Sequence, residues 1–152
     1  QGYLGLGMVT EAAAELEKIP APDCDEPAVL AVRLAVLQER CEWPALRAVA
    51  AEFVRRAPGQ AAGWVTWAYA TRRADSITAA EKILLEAERV HPQEPTIQFN
   101  LGCYASQRGA LAEARRRVDR AIKLDQTFAA LAATDPDLEP LRSAGPPASS
   151  GA

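Results

Sequence analysis

AAGWVTWAYATRRADSITAAEKILLEAERVHPQE, residues 61–94, decides the fold, because its landmarks return at a fixed interval on either side. Pro92, near its end, lies 34 residues after Pro58, and Gln126 lies 34 residues further on. The approaches to these positions match, running Phe53 to Pro58, Ala87 to Pro92 and Ala121 to Gln126. The segments that follow also align, Ala61-Ala62-Gly63-Trp64 against Pro95-Thr96-Ile97-Gln98. A period of this length marks a repeat architecture, in which each unit buries its apolar face only against its neighbours.

Working outward, the chain reads as helix nearly throughout. Ala, Leu, Glu and Arg fill its middle, and all four favour helix on intrinsic propensity. Helical periodicity runs from about Val9 to Lys18 and stops at Pro20-Ala21-Pro22. Pro27 opens a helix that runs through Arg40, since proline is tolerated in a first turn. Cys41-Glu42-Trp43 makes a turn, and the helix from Pro44 ends before Pro58-Gly59. Trp64 to Arg73 follows, then an Asp75-Ser76 turn and cap, then Thr78 to Val90. Pro95 to Arg108, a Gly109 turn and Leu111 to Leu124 form the next pair. A short helix over Thr127–Ala133 and another over Asp137–Arg142 are expected to hide the last apolar face, through Phe128, Leu131, Leu138 and Leu141. From Ser143 the sequence is too poor in apolar residues to fold.

Composition narrows the function. At 152 residues and a net charge of -3, the chain gives no reason to expect nucleic acid as a partner. No run of ~18 apolar residues is present, so no transmembrane span is expected. No charged-then-apolar stretch resembling a signal peptide opens it, although the absence of an initiating Met leaves room for a preceding signal or anchor. Cys24, Cys41 and Cys103 are odd in number and widely spaced, which points to a reduced, cytoplasmic setting and small, partly buried side chains. No pair has metal-ligand spacing, and His91 is the only histidine, so neither a metal nor a cofactor is expected. Gly2, Gly5 and Gly7 lack the strand and the Lys-Ser/Thr pair of a phosphate loop. The run Arg115-Arg116-Arg117 is the sharpest charge feature. On a helix Arg116, Arg120 and Lys123 share one face and Arg117 points elsewhere, and without interleaved aromatics that face reads as solvated. No enzyme is expected.

The period and its key residues resemble the tetratricopeptide repeat, a helix-turn-helix unit. Residues 61–94 supply Trp64, Trp67-Ala68, Ala80, Leu84, Ala87 and Pro92 in the family's slots. Residues 95–128 supply Leu101-Gly102, Ala114, Val118 and Ala121, and Phe99-Asn100-Leu101-Gly102 is close to the family's Tyr-Asn-Leu-Gly string. Residues 27–60 keep Pro58, but Leu46 and Phe53 stand where small alanines are usual, which predicts wider helix spacing there. Gly7-Met8-Val9, Ala12, Leu16 and Ile19 read as the second half of a further unit, whose uncovered apolar face would favour self-association.

The resemblance implies an all-α solenoid of helical hairpins, a right-handed superhelix, over residues 3–142: a partial repeat 3–26, repeats 27–60, 61–94 and 95–128, and a cap at 127–142, with 143–152 as a tail. It also implies a concave groove lined by the first helix of each repeat. The groove positions fall on Ala31, Ala35, Gln38 and Glu39; on Val65, Thr66, Tyr69, Arg72 and Arg73; and on Phe99, Asn100, Cys103, Ser106 and Gln107. Tyr69 and Phe99 are expected as apolar anchors, Asn100 as a backbone ligand, and Arg72 and Arg73 as readers of acidic side chains. The function implied is a protein-interaction scaffold binding a partner peptide or helix. A chaperone masking an apolar segment of a dedicated client, or an architectural spacer within a longer chain, are the alternatives.

Overall fold

The computed structural model describes residues 26–145, which form eight α-helices and one 3-10 turn with no strand among them. In chain order these are α1 (Pro27–Glu39), α2 (Trp43–Arg56), α3 (Ala61–Ala74), α4 (Ile77–Val90), α5 (Pro95–Gln107), α6 (Leu111–Leu124), α7 (Phe128–Thr134), a 3-10 turn (Pro136–Leu138) and α8 (Glu139–Ser143). The N-terminal half-unit, Cys24 and residues 146–152 lie outside the described part. The chain divides into two compact units, residues 1–83 and 84–152, parted within α4. None of the described helices is long and apolar enough to cross a membrane.

Local chemistry explains the helix ends. Pro27, Pro44 and Pro95 stand in the first turns of α1, α2 and α5, where a missing N–H costs nothing. Ser76 caps α4, its hydroxyl accepting from the Ala79 N–H at 3.1 Å. Cys41 and Gly109 are two periods apart and both adopt the left-handed conformation, with φ of 55° and 83°. Each closes its helix in the same way: Glu42 N donates to Leu37 O at 3.0 Å, and Ala110 N to Ala105 O at 2.9 Å. Cysteine is strained there where glycine is not. Cys41→Gly should therefore raise stability by up to about 1 kcal/mol in thermal melts. A lowered midpoint would show that the thiol makes contacts worth more than the backbone relief.

In the first unit α1 packs on α2 and α2 on α3. Connections this short between packed helices make the neighbours antiparallel. Leu30, Leu34, Leu46, Ala50, Phe53 and Ala70 form its core, flanked by Leu37, Trp43, Val49 and Trp67. The bulk of Phe53 has a specific recipient. Gly63 offers no side chain, and a Cβ placed on it would lie 2.5 Å from Phe53 Cδ1. A large residue on α2 thus meets the smallest one on α3. Trp64 is anchored beside them, its indole N–H donating to Pro58 O at 2.9 Å.

In the second unit α5 packs on α6, and from Ile97 to Ser106 only Asn100 escapes full burial. Ala114 and Ala121 are fully buried on α6, as Ala80 and Ala87 are on α4. Gly102 admits α6 closely, since a Cβ there would stand 2.8 Å from Val118 Cγ2. Gln98, 34 residues after Trp64, is only 1% exposed. Its amide donates to Glu88 Oε2 at 2.6 Å and accepts from Arg117 at 3.1 Å, while Arg117 also pairs with Glu88. Burial pushes the Glu88 carboxyl up, but the bonds from Gln98 and Arg117 outweigh it and hold it below the usual value. Arg117 thus turns inward, away from the exposed Arg116, Arg120 and Lys123.

The C-terminal segment closes this unit with one departure from expectation. Leu138 and Leu141 are buried and Phe128 is half-buried, but Leu131 is 50% exposed. The α7 helix is only seven residues long and buries none of them fully, so its outer side stays in solvent. Arg142 fastens the segment by donating to Ala132 O and Asp135 O, both at 2.9 Å.

Candidate partner-binding face

Helical periodicity puts Val65, Tyr69, Arg72 and Arg73 in one row along α3. The row is open. Tyr69 is 40% exposed, Arg73 is exposed, and Val65 and Arg72 are half-buried. Packing of α2 on α3 brings in Trp43, the first residue of α2. Its ring meets Tyr69 edge-on, with centroids 5.5 Å apart and planes at 80°. The Arg73 guanidinium carbon lies 4.9 Å from the centroid of the Trp43 ring. Stacking of this kind contributes about 0.5–1 kcal/mol at an exposed site and holds the side chain in one orientation. Arg47 and Asp75 pair at 3.3 Å in the same unit, but both are exposed and the bond adds little.

On α1 the side turned to solvent is apolar. Ala28, Ala31, Val32 and Ala35 recur at helical spacing and are all exposed, Val32 by 45%. A helix on a protein surface ordinarily turns charge outward on that side. Gln38 and Glu39 are exposed at its end.

The corresponding row on α5 is closed. Phe99 was expected to point into an open face, but it is 4% exposed, with its ring 5.2 Å from that of Phe128. Cys103 and Ser106 are buried, and the Ser106 hydroxyl has no hydrogen-bond partner. Gln107 donates to the main-chain oxygen of Asp137 at 2.9 Å. Asn100 is half-buried. Phe99 and Gln107 are therefore taken by the protein's own C-terminal segment, and the reason is the cap itself: hiding the last apolar face uses the residues that would otherwise be offered.

Cys103, Asp135 and Asp137 bring their sulfur and carboxylate atoms within 4.8 Å of one another. Asp135 is committed to the turn, accepting from Asp137 N at 2.8 Å, and Cys103 and Asp137 have partners as well. The trio reads as the packing of the 3-10 turn on α5. The basic run is also largely engaged: Arg115 donates to Gly145 O at 2.6 Å, Arg120 to Pro92 O at 3.1 Å and Arg108 to Glu113 at 2.7 Å. A shallow groove of about 480 Å³, floored by Ala48, Ala51, Trp67 and Ile83, lies off the Tyr69 row.

Two features escaped the sequence reading. The Trp43–Arg73 stack joins residues 30 apart and carries no motif. The Glu88–Gln98–Arg117 cluster had a visible signal, a polar Gln98 where the period calls for a large apolar residue. Set against known proteins, the chain matches no family model and no curated protein.

Proposed function

We propose that this chain is a tetratricopeptide-type repeat domain that binds a partner peptide or helix, without catalysis, and that the α3 row centred on Tyr69 is its contact surface. A right-handed stacking of the helix pairs is part of that reading. The observation that carries it is the contrast between two rows one period apart: the α5 row is covered by a segment of chain, while Tyr69 and Arg73 on the α3 row stay exposed. The repeated left-handed turns at Cys41 and Gly109 and the fully buried alanines support the repeat assignment. The exposed side of α1 is apolar as well and is a second surface that a partner could cover.

Peptides selected on the full chain from a random library provide the test. Removing a central aromatic anchor commonly costs about 2 kcal/mol or more, so Tyr69→Ala should weaken the selected peptides by at least about thirtyfold. Circular dichroism of the variant should stay helical, because Tyr69 is exposed and is not part of the core cluster. Unchanged peptide affinity would remove Tyr69 from the site and favour the spacer reading.

A further inference from the structure

We infer that the α3 row takes an acidic, proline-turned segment of the Asp-Pro-Asp-Leu type, with side-chain carboxylates received by Arg73 and Tyr69. This rests on the reading of α3 as the contact face. The argument starts from the protein's own precedent. Shifting the α5 row back by one period carries Phe99 to Val65, Cys103 to Tyr69, Ser106 to Arg72 and Gln107 to Arg73. The segment lying on the α5 row is Asp135-Pro136-Asp137-Leu138. Its carboxylates lie within 4.8 Å of the Cys103 sulfur, its main chain accepts from Gln107, and Leu138 is buried.

Tyr69 and Arg73 on α3 are better receivers of such a segment than their counterparts. A phenol O–H replaces a thiol, which is only a weak donor. A guanidinium replaces the Gln107 amide and adds charge to the bond, roughly doubling its strength. Arg73 is also prepared for the task. With one side of its guanidinium on Trp43, its N–H edge remains available, and no carboxylate pairs with it among the described residues. The cost of ordering a long side chain is thereby partly met before a partner arrives. The apolar Val65 stands where Phe99 receives Phe128, so a neighbouring apolar side chain of the partner has a seat.

The test uses a synthetic peptide with the sequence of residues 134–142, blocked at both ends, titrated into the full chain by calorimetry. Binding should be salt-sensitive and should weaken about tenfold when Asp135→Asn and Asp137→Asn are introduced together in the peptide. Arg73→Gln in the protein should give a similar loss, while Gln107→Ala should leave the affinity unchanged and so place the peptide on α3. Equal binding of the neutral peptide, indifference to Arg73→Gln, or no binding of the acidic peptide would each overturn the acidic preference. The broader reading falls separately, only if Tyr69→Ala also leaves library-selected peptides unaffected.

Discussion

Gly63→Leu is expected to destabilise the protein by about 3 kcal/mol, the upper part of the range for overpacking a filled core. A Cβ alone would sit 2.5 Å from Phe53 Cδ1 and 2.8 Å from Cε1, closer than carbon atoms approach without displacement. Phe53 has no room to retreat, since it is buried among Leu34, Leu46 and Ala50. The backbone of α2 or α3 must then move, and every contact between them loosens. For a chain of this size the loss corresponds to roughly 6–12 °C in melting midpoint. Gly59→Ala is the control, because nothing lies within 4 Å of a Cβ there. It should stay within about 0.5 kcal/mol of the parent. Adding Phe53→Leu to Gly63→Leu should recover part of the loss, since coupled neighbours do not add. An unchanged midpoint for Gly63→Leu would mean that the two helices are not in the register described.

That pair of residues also shows how much the sequence could disclose. Period, helix order and capping turns were legible because they depend on local chemistry: proline in first turns, Gly109 at a left-handed stop, alanine at fixed intervals. The place of Phe53 was not. Taken alone, a bulky residue at a small-residue position predicts wider spacing, but Gly63 absorbs it from another helix, and complementarity of that kind is a property of the packed pair. The same limit applied to the rows of α3 and α5. Helical spacing put Tyr69 and Phe99 on corresponding faces of α3 and α5, and it could not reveal that Phe128 and the turn after α7 would cover one of those faces. The C-terminal segment was readable as a cap, yet which side chains it would hide depends on how it folds back across α5. Trp43 and Arg73 belong to separate helices, and only tertiary contact makes them a unit.

The second large effect is expected at Glu88. Glu88→Ala should cost about 2–3 kcal/mol, because it strips one carboxylate from two donors that remain largely out of water. Gln98 would keep a buried amide without its acceptor, and Arg117 would keep only Glu113, 3.6 Å from its Nε, and the Gln98 carbonyl. Glu88→Gln should cost less, since an amide oxygen can still accept from one of the two. The pH dependence separates this account from a simple loss of packing. The folded-state pKa of Glu88 lies below its unfolded value, so the unfolded chain binds more protons in the window between them. The stabilisation is therefore fully present above the ordinary carboxylate range and is lost as pH falls through the folded value. Glu113, held low first by its bond from Arg108, adds to the same loss. As pH falls from 7 to below the folded value, the stability gap between the parent and Glu88→Gln should narrow, because the parent's carboxyl becomes a neutral group there too. Equilibrium unfolding across a series of pH values measures it directly. A gap that stays constant would show that Glu88 contributes through shape alone and that the bonds to Gln98 and Arg117 carry no net charge stabilisation.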